Sequence, residues 1–203
     1  MTYPRKSAIL ASGRKHDAGG NDMPFDRNNM TITKAALQEF DAVRAFYFEV
    51  IDGFEGKEYH PCWEKDIYPA PEQLRSLIEN GELYIGKENG KIISAMAFNH
   101  ECNEEGYSQV EWPTKAEKRE VFIIHMLATH PSRGQSGVAG IMVRFAIDQA
   151  RAQNAKAIRL DVLKGNIPAN KLYEAAGFQK LQTITLYYPD TGYTDFELYE
   201  LAL

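Results

Sequence analysis

The chain has 203 residues, 44% hydrophobic and 25% charged, with a formal net charge of −5. That profile predicts a globular protein with a substantial core, and the acidic balance argues against nucleic acid as a partner, because binding phosphates needs a basic surface. No apolar run approaches the ~20 residues that span a bilayer, and the start, MTYPRKSAILASGRKHDAGG, lacks the apolar stretch of a secretory signal. Cys62 and Cys102 form no CxxC pair and, with five scattered histidines, no zinc pattern. A cytoplasmic protein without a metal, a membrane or a nucleic acid is expected.

Residues 1–29 are polar and aperiodic and are expected to be a poorly ordered arm. From Met30, MTITKAAL alternates with β-branched residues and predicts a short strand. QEFDAVRAFYFEVIDGF then puts Phe40, Val43, Tyr47, Val50, Ile51 and Phe54 on one helical stripe that ends at Gly53. An aromatic and acidic connection, EGKEYHPCWEKDIYP, leads to a second helix with Pro71 in its first turn and Gly81 closing it. ELYIGKENGKIISAMAF reads as a hairpin turning at Glu88-Asn89-Gly90. A polar insertion, NHECNEEGYSQVEWPTKAEKRE, separates it from the apolar strand VFIIHMLATH.

After that strand, HPSRGQSGVAG places Gly134, Gly137 and Gly140 where a helix must begin, and the helix carries Val138, Ile141, Met142, Phe145 and Ala146 at 3–4 spacing. AIRLDVL is a further buried strand, and NIPANKLYEAAGF a helix from Pro168 to Gly177. QKLQTITLYY and TDFELYELAL form a last hairpin around Pro189-Asp190-Thr191-Gly192. The order β-α-α-β-β-β-α-β-α-β-β predicts one α/β sheet with mixed pairing.

The strand, glycine loop and helix at 121–150 make a physical anion site: unpaired N–H groups and the positive end of the helix dipole, with glycines that let a phosphate approach the main chain. Neither the Gly-Lys-Ser/Thr of an ATP-binding loop nor G-x-G-x-x-G is present. By themselves the glycines fit tight helix–sheet packing equally well.

HMLATHPSRGQSGVAGIMVRFA followed by AIRLDVLKGNIPANKLYEAAGF resembles the GNAT superfamily of acetyl-CoA-dependent N-acetyltransferases. In the family pattern P-x-x-[Q/R]-x-x-G-x-[G/A], Pro131, Gly137 and Ala139 match in register, while Gly134 stands at the Gln/Arg position. Asn166, Ala169, Leu172, Tyr173, Glu174, Gly177 and Phe178 match the second pattern, N-x-x-A and LYE-x-x-GF. The resemblance implies a centrally splayed mixed sheet of about seven strands flanked by about four helices, with 30–203 as one domain. It implies that Leu127, Ala128 and Thr129 meet the pantetheine arm of acetyl-CoA through main chain. The pyrophosphate would sit over Gln135, Ser136, Gly137, Val138, Ala139 and Gly140, with Arg133 or Gln135 replacing the missing polar contact, and Asn166 would bond the cofactor further along. Tyr173 stands at the general-acid position; an aromatic on a buried helix face is the plainer account. A homodimer is also carried over from the family.

Acetyl transfer needs a neutral amine, whereas a lysine-like amine with a pKa near ~10.4 is protonated at pH 7, so a base is required. His125, just ahead of the cofactor-contacting stretch, has the right ordinary pKa, about 6.5, and is as readily read as a packed histidine. Glu120, at the start of the same strand, acts through water or is a solvated carboxylate. For the acceptor, Tyr59 and Trp63 in the acidic connection and Trp112 in the insertion suit a cationic amine, the insertion acting as a lid; the same aromatics serve as loop anchors. The expected activity is acetyl transfer to a primary amine of a small molecule or peptide by direct attack. A GNAT-fold module that binds acyl-CoA without catalysis is the alternative.

Overall fold

The computed structural model describes residues 25–57, 61–188 and 191–203. Most of the expected N-terminal arm (1–24), Tyr59 and the Pro189-Asp190 turn lie outside the described residues. A 3-10 turn at Arg27–Asn29, assigned from sequence to the arm, leads into β1 (Met30–Lys34). Helices α1 (Phe40–Asp52) and α2 (Pro71–Glu79) follow, then the hairpin β2 (Leu83–Glu88) and β3 (Lys91–Asn99). Its turn residues Asn89 and Gly90 both have positive φ, 49° and 79°, the backbone that a two-residue hairpin loop requires. The insertion holds a short helix, α3 (Glu104–Tyr107), capped by Asn103 Oδ1, which accepts from the Gly106 N–H at 3.0 Å. Then come β4 (Val121–Thr129), α4 (Val138–Ala152), β5 (Ala157–Leu163), α5 (Ile167–Ala175), β6 (Gln179–Tyr188) and β7 (Gly192–Ala202).

The seven strands form one sheet in the order β1-β2-β3-β4-β5-β7-β6. Only β4 and β5 pair in parallel; every other neighbour is antiparallel. Helices α4 and α5 cover one face over a cluster that includes Phe98, Phe122, Met142, Ile158, Leu160 and Tyr173. The other face carries two separate clusters. One buries α1 and α2 against β2–β4 through Val43, Tyr47, Leu74, Leu83, Ile85 and Met126. The second packs the insertion's Tyr107, Val110 and Trp112 against Ile123, Phe196 and Leu198. With α3, the described helices number five rather than about four.

This third cluster corrects the placing of Trp112 at the acceptor pocket, although Glu101, Cys102 and Asn103 of the same insertion do line the cavity beside it. Trp112 is 9% exposed, its Nε1 donates to the Tyr107 carbonyl at 2.9 Å, and the Arg159 guanidinium lies 4.2 Å from its ring centre. Arg159 is in turn paired with the buried Glu200 at 2.8 Å. A large aromatic with its N–H satisfied and a cation on its face belongs to the core. Between the two clusters a gap remains, and the cavity described below opens there.

Strand β4 reaches that gap through a bulge. Ala97 faces His125 and Ala95 faces Ala128, so Met126 and Leu127 together oppose Met96. Met126 has φ +53°, a conformation that costs a non-glycine residue about 1–3 kcal/mol. Two buried hydroxyls brace it: Tyr47 donates to the Met126 carbonyl at 3.0 Å, and Ser94 to the Ala128 carbonyl at 2.5 Å. Ser94→Ala is expected to lower stability by about 1 kcal/mol, read as a reduced urea midpoint at unchanged slope.

Candidate active site

β4 and β5 pair only over Val121–Ile123 and Ala157–Arg159. Beyond Ile123, β5 continues with β7 as far as Leu163↔Phe196 while β4 stays with β3, so the two strands part. A parallel pair needs evenly spaced, slanted bonds, and β4 leaves that ladder as it approaches its bulge. A cavity of about 590 Å³ runs through the opening. Ile124, Val162, Asn166, Ala169 and Tyr173 line it on the α5 side; His125, Met126, Asp161, Leu163 and Phe196 line it on the other.

The glycine loop stands beside the end of β4. Gly137, the residue that begins α4, has φ +87° and ψ 4°, and no side chain caps the helix. The first-turn N–H groups of α4 are therefore presented outward. Two guanidinium groups border them: Arg27 Nη2 lies 3.3 Å from where a Cβ on Gly137 would be, and Arg144 Nη1 3.5 Å from the same point on Gly140. Gln135 is exposed with φ +61°, and Ser136 Oγ donates to the Arg133 carbonyl at 2.6 Å. Val138 is buried, Ala139 and Gly140 half-buried. Arg133, a candidate for the missing polar contact, pairs with the buried Glu88 of β2 at 2.7 Å. Thr129 Oγ1, at the end of β4, is buried without a partner among the described residues. The far end of α1 locks against the loop, since a Cβ on Gly53 would fall 2.2 Å from Pro131 Cγ.

Of the candidate catalytic residues, His125 and Tyr173 share the cavity and Glu120 does not. His125, still in regular register with Ala97, shares the face of Ile123 by strand alternation and so faces the space between the two clusters. Its Nε2 faces the Glu101 carbonyl at 2.8 Å; since a carbonyl only accepts, Nε2 carries the proton and Nδ1 is the basic nitrogen. Burial, partly offset by the Asp161 charge, lowers its pKa from the ordinary 6.5. Tyr173 is 6% exposed, held edge-on by Phe178, and burial raises its pKa. Glu120 sits where β4 and β5 still pair; it binds Lys156 at 2.9 Å and the Glu117 N–H at 3.0 Å, which lower its pKa. Asn166 caps α5, its Oδ1 accepting from the Ala169 N–H at 3.0 Å.

Leu127 also lines the cavity, with Ala128 and Thr129 continuing toward the loop. Trp63 lines it too, stacked edge-on between Tyr47 and Tyr68, whereas Trp112 does not. Asp161 was missed. Its carboxylate projects from β5 into the cavity, and Oδ2 accepts from Tyr107 at 2.9 Å and Tyr188 at 3.2 Å. The available signal was one acidic residue in the apolar run AIRLDVL, since a carboxylate in a buried strand has to be satisfied by something. Among the described residues no group of three or more His, Cys, Asp or Glu could hold a metal ion, and no helix is long and apolar enough to cross a membrane.

A mixed sheet split at its parallel pair, with a glycine-rich helix start at the mouth of the split, defines a fold of the acetyltransferase type. The model of the acetyltransferase (GNAT) family matches residues 46–178, and the chain belongs to that family. An uncharacterized N-acetyltransferase of Methanocaldococcus jannaschii is 24% identical over 155 residues, 76% of this chain and 62% of that protein. The match thus spans less than two thirds of that relative. A GNAT-family acetyltransferase from Streptococcus agalactiae superposes with a TM-score of 0.70 at 20% identity, covering 86% of this chain and 95% of the other. The protein yncA of Salmonella typhimurium, solved with its cofactor acetyl-CoA, has a TM-score of 0.61 at 17% identity, covering 86% and 94%. These structural likenesses speak for the fold.

Proposed function

We propose that this chain transfers the acetyl group of acetyl-CoA to a primary amine of a small molecule or peptide, by direct attack while both substrates are bound, and that residues 30–203 act as one domain. One observation carries the proposal: a single cavity passes through the split sheet, with Tyr173 at one wall and His125 and Asp161 at the other.

The residues at the split suit acetyl-CoA. The uncapped first turn of α4, the left-handed Gly137 and the guanidinium groups of Arg27 and Arg144 favour a diphosphate. The β5-facing edge of β4 past Ile123, at Leu127, Ala128 and Thr129, has no ladder partner in β5 and suits an amide-bearing arm. Asn166 keeps its Nδ2 donors, since Oδ1 caps α5. Acetyl-CoA supplies an activated acyl group on a thiolate leaving group. His125 takes a proton from the acceptor nitrogen at Nδ1. Tyr173, kept protonated by burial, gives a proton to the departing sulfur. Of the two protons the nitrogen loses, one ends on sulfur and one in solvent. The Cys102 thiol, also in the cavity, is pushed up in pKa by burial, which favours direct transfer over an acyl-cysteine.

Thiol release with a panel of primary amines, alongside thermal shift with acetyl-CoA, tests the proposal. No stabilisation by the cofactor would refute it, and stabilisation without turnover on any amine would favour the acyl-CoA-binding alternative. A pH profile tests the base. Because burial lowers the His125 pKa, its neutral form persists to more acid pH, so the acid limb of kcat/KM lies below 6.5. The limb disappears in His125→Gln; a limb unchanged in that variant assigns the base elsewhere.

A further inference from the structure

On the insertion-facing side of β5 stand Arg159, Asp161 and Leu163. Arg159 is neutralised by Glu200 and roofed by Trp112. Asp161 has no such partner. Its Oδ2 takes both tyrosine hydroxyls, whereas no hydrogen bond reaches Oδ1 among the described residues, and Oδ1 is not one of the sealed, unpartnered polar atoms. It therefore opens into the cavity that Asp161 lines. Among the described lining residues none is Lys or Arg; the charged or titratable ones besides Asp161 are Glu101, His125, Cys102 and three tyrosines. A carboxylate held in a desolvated site without a cation is costly, and a cation delivered to its open oxygen relieves that cost.

Besides polar Gln73, Asn99, Asn103 and Thr191, the cavity walls carry the apolar or aromatic Trp63, Tyr68, Leu77, Leu163 and Phe196. Asp161 also stands close enough to Tyr173 and His125 for its charge to act on both. A cationic group on Oδ1 is thus within electrostatic reach of the two residues proposed to handle protons. We infer that Asp161 anchors the acceptor's ammonium group, so that the cavity takes primary amines with an uncharged, apolar body and discriminates against amines bearing a carboxylate on the adjacent carbon. That carboxylate would meet Asp161 with no Lys or Arg among the described lining residues to pair with it, and Lys118 beside the cavity is already taken by Glu101 at 2.8 Å. The inference rests on the N-acetyltransferase proposal above, and Asp161 is then a specificity-determining residue that touches substrate.

The test uses phenethylamine and phenylalanine, which share a body and differ by one carboxylate. Wild-type protein saturated with acetyl-CoA is expected to acetylate phenethylamine with kcat/KM about tenfold or more above that for phenylalanine. Calorimetric titration of phenethylamine into the CoA-saturated protein should show about tenfold or more weaker binding in Asp161→Asn, with acetyl-CoA affinity unchanged. Asparagine retains an acceptor oxygen for Tyr107 and Tyr188, so the melting temperature should stay close to wild type; if that variant does not fold, the wild-type ratio of the two probes stands as the test. Preference for phenylalanine, turnover of neither probe, or unchanged phenethylamine binding in a folded Asp161→Asn overturns the anchor. Turnover of some other amine in those cases leaves the acetyltransferase proposal standing, whereas failure to bind acetyl-CoA removes both.

Discussion

Tyr173→Phe is expected to lower kcat by about 10²–10⁴-fold, the usual contribution of a positioned general acid, while leaving acetyl-CoA affinity unchanged. The substitution isolates one atom. Tyr173 lies on α5, which Asn166 caps and Pro168 starts, and its ring is fixed by Phe178 and by Tyr199 at 6.3 Å between centres. Phenylalanine fills the same volume in the same contacts, so the fold and the cavity wall persist. Only the hydroxyl is lost, and burial holds that hydroxyl in its protonated, donating form. Thiol-release kinetics and calorimetric titration with CoA separate the two effects. Undiminished turnover in this variant would remove Tyr173 from the chemistry.

Gly137→Val is expected to raise the dissociation constant for acetyl-CoA by about 10-fold to 100-fold, from a backbone penalty of about 1–3 kcal/mol. Gly137 adopts φ +87° at the start of α4, where a β-branched side chain is badly tolerated, and its Cβ would approach Arg27 Nη2 at 3.3 Å. Relief requires the loop to turn, which rotates the first-turn N–H groups away from the anion they are proposed to hold. Gly134→Ala is the matched control. Gly134 has φ −55° and ψ 140°, open to any residue, and a Cβ there would meet only the Pro131 carbonyl at 3.4 Å. Its affinity should equal wild type. Equal losses in both variants would mean that the loop responds to bulk rather than to backbone conformation.

The contrast between these glycines shows what was legible. That glycines stand at a helix start was legible, whereas the left-handed backbone of Gly137 is a finding of the structure. Asn89-Gly90 at the hairpin and Pro168 in the first turn of α5 did read from local signals, whereas Asn166, expected only as a cofactor contact, also caps that helix. The role of Arg133 did not read through. Its position beside Gly134 suggested a ligand contact, yet Glu88, 45 positions away in sequence, takes its guanidinium. Arg27, three residues ahead of β1, carries no signal that it would border the loop of α4.

Sequence by itself determined the order of elements apart from α3, the mixed sheet and the glycine loop, because periodicity and turn residues act over a few residues, and its two motifs carried the resemblance to the family. Only the tertiary structure decided which side chains meet. Register with β3 puts His125 on the cavity face, the parting of β4 from β5 opens a path between the faces of the sheet, and Asp161 enters from a strand that looked purely structural. Trp112 is drawn into the core by Arg159 and Tyr107, and Glu120 is claimed by Lys156. Those outcomes depend on strand register and on partners distant in the chain, where a shift of one residue reverses the face a side chain occupies.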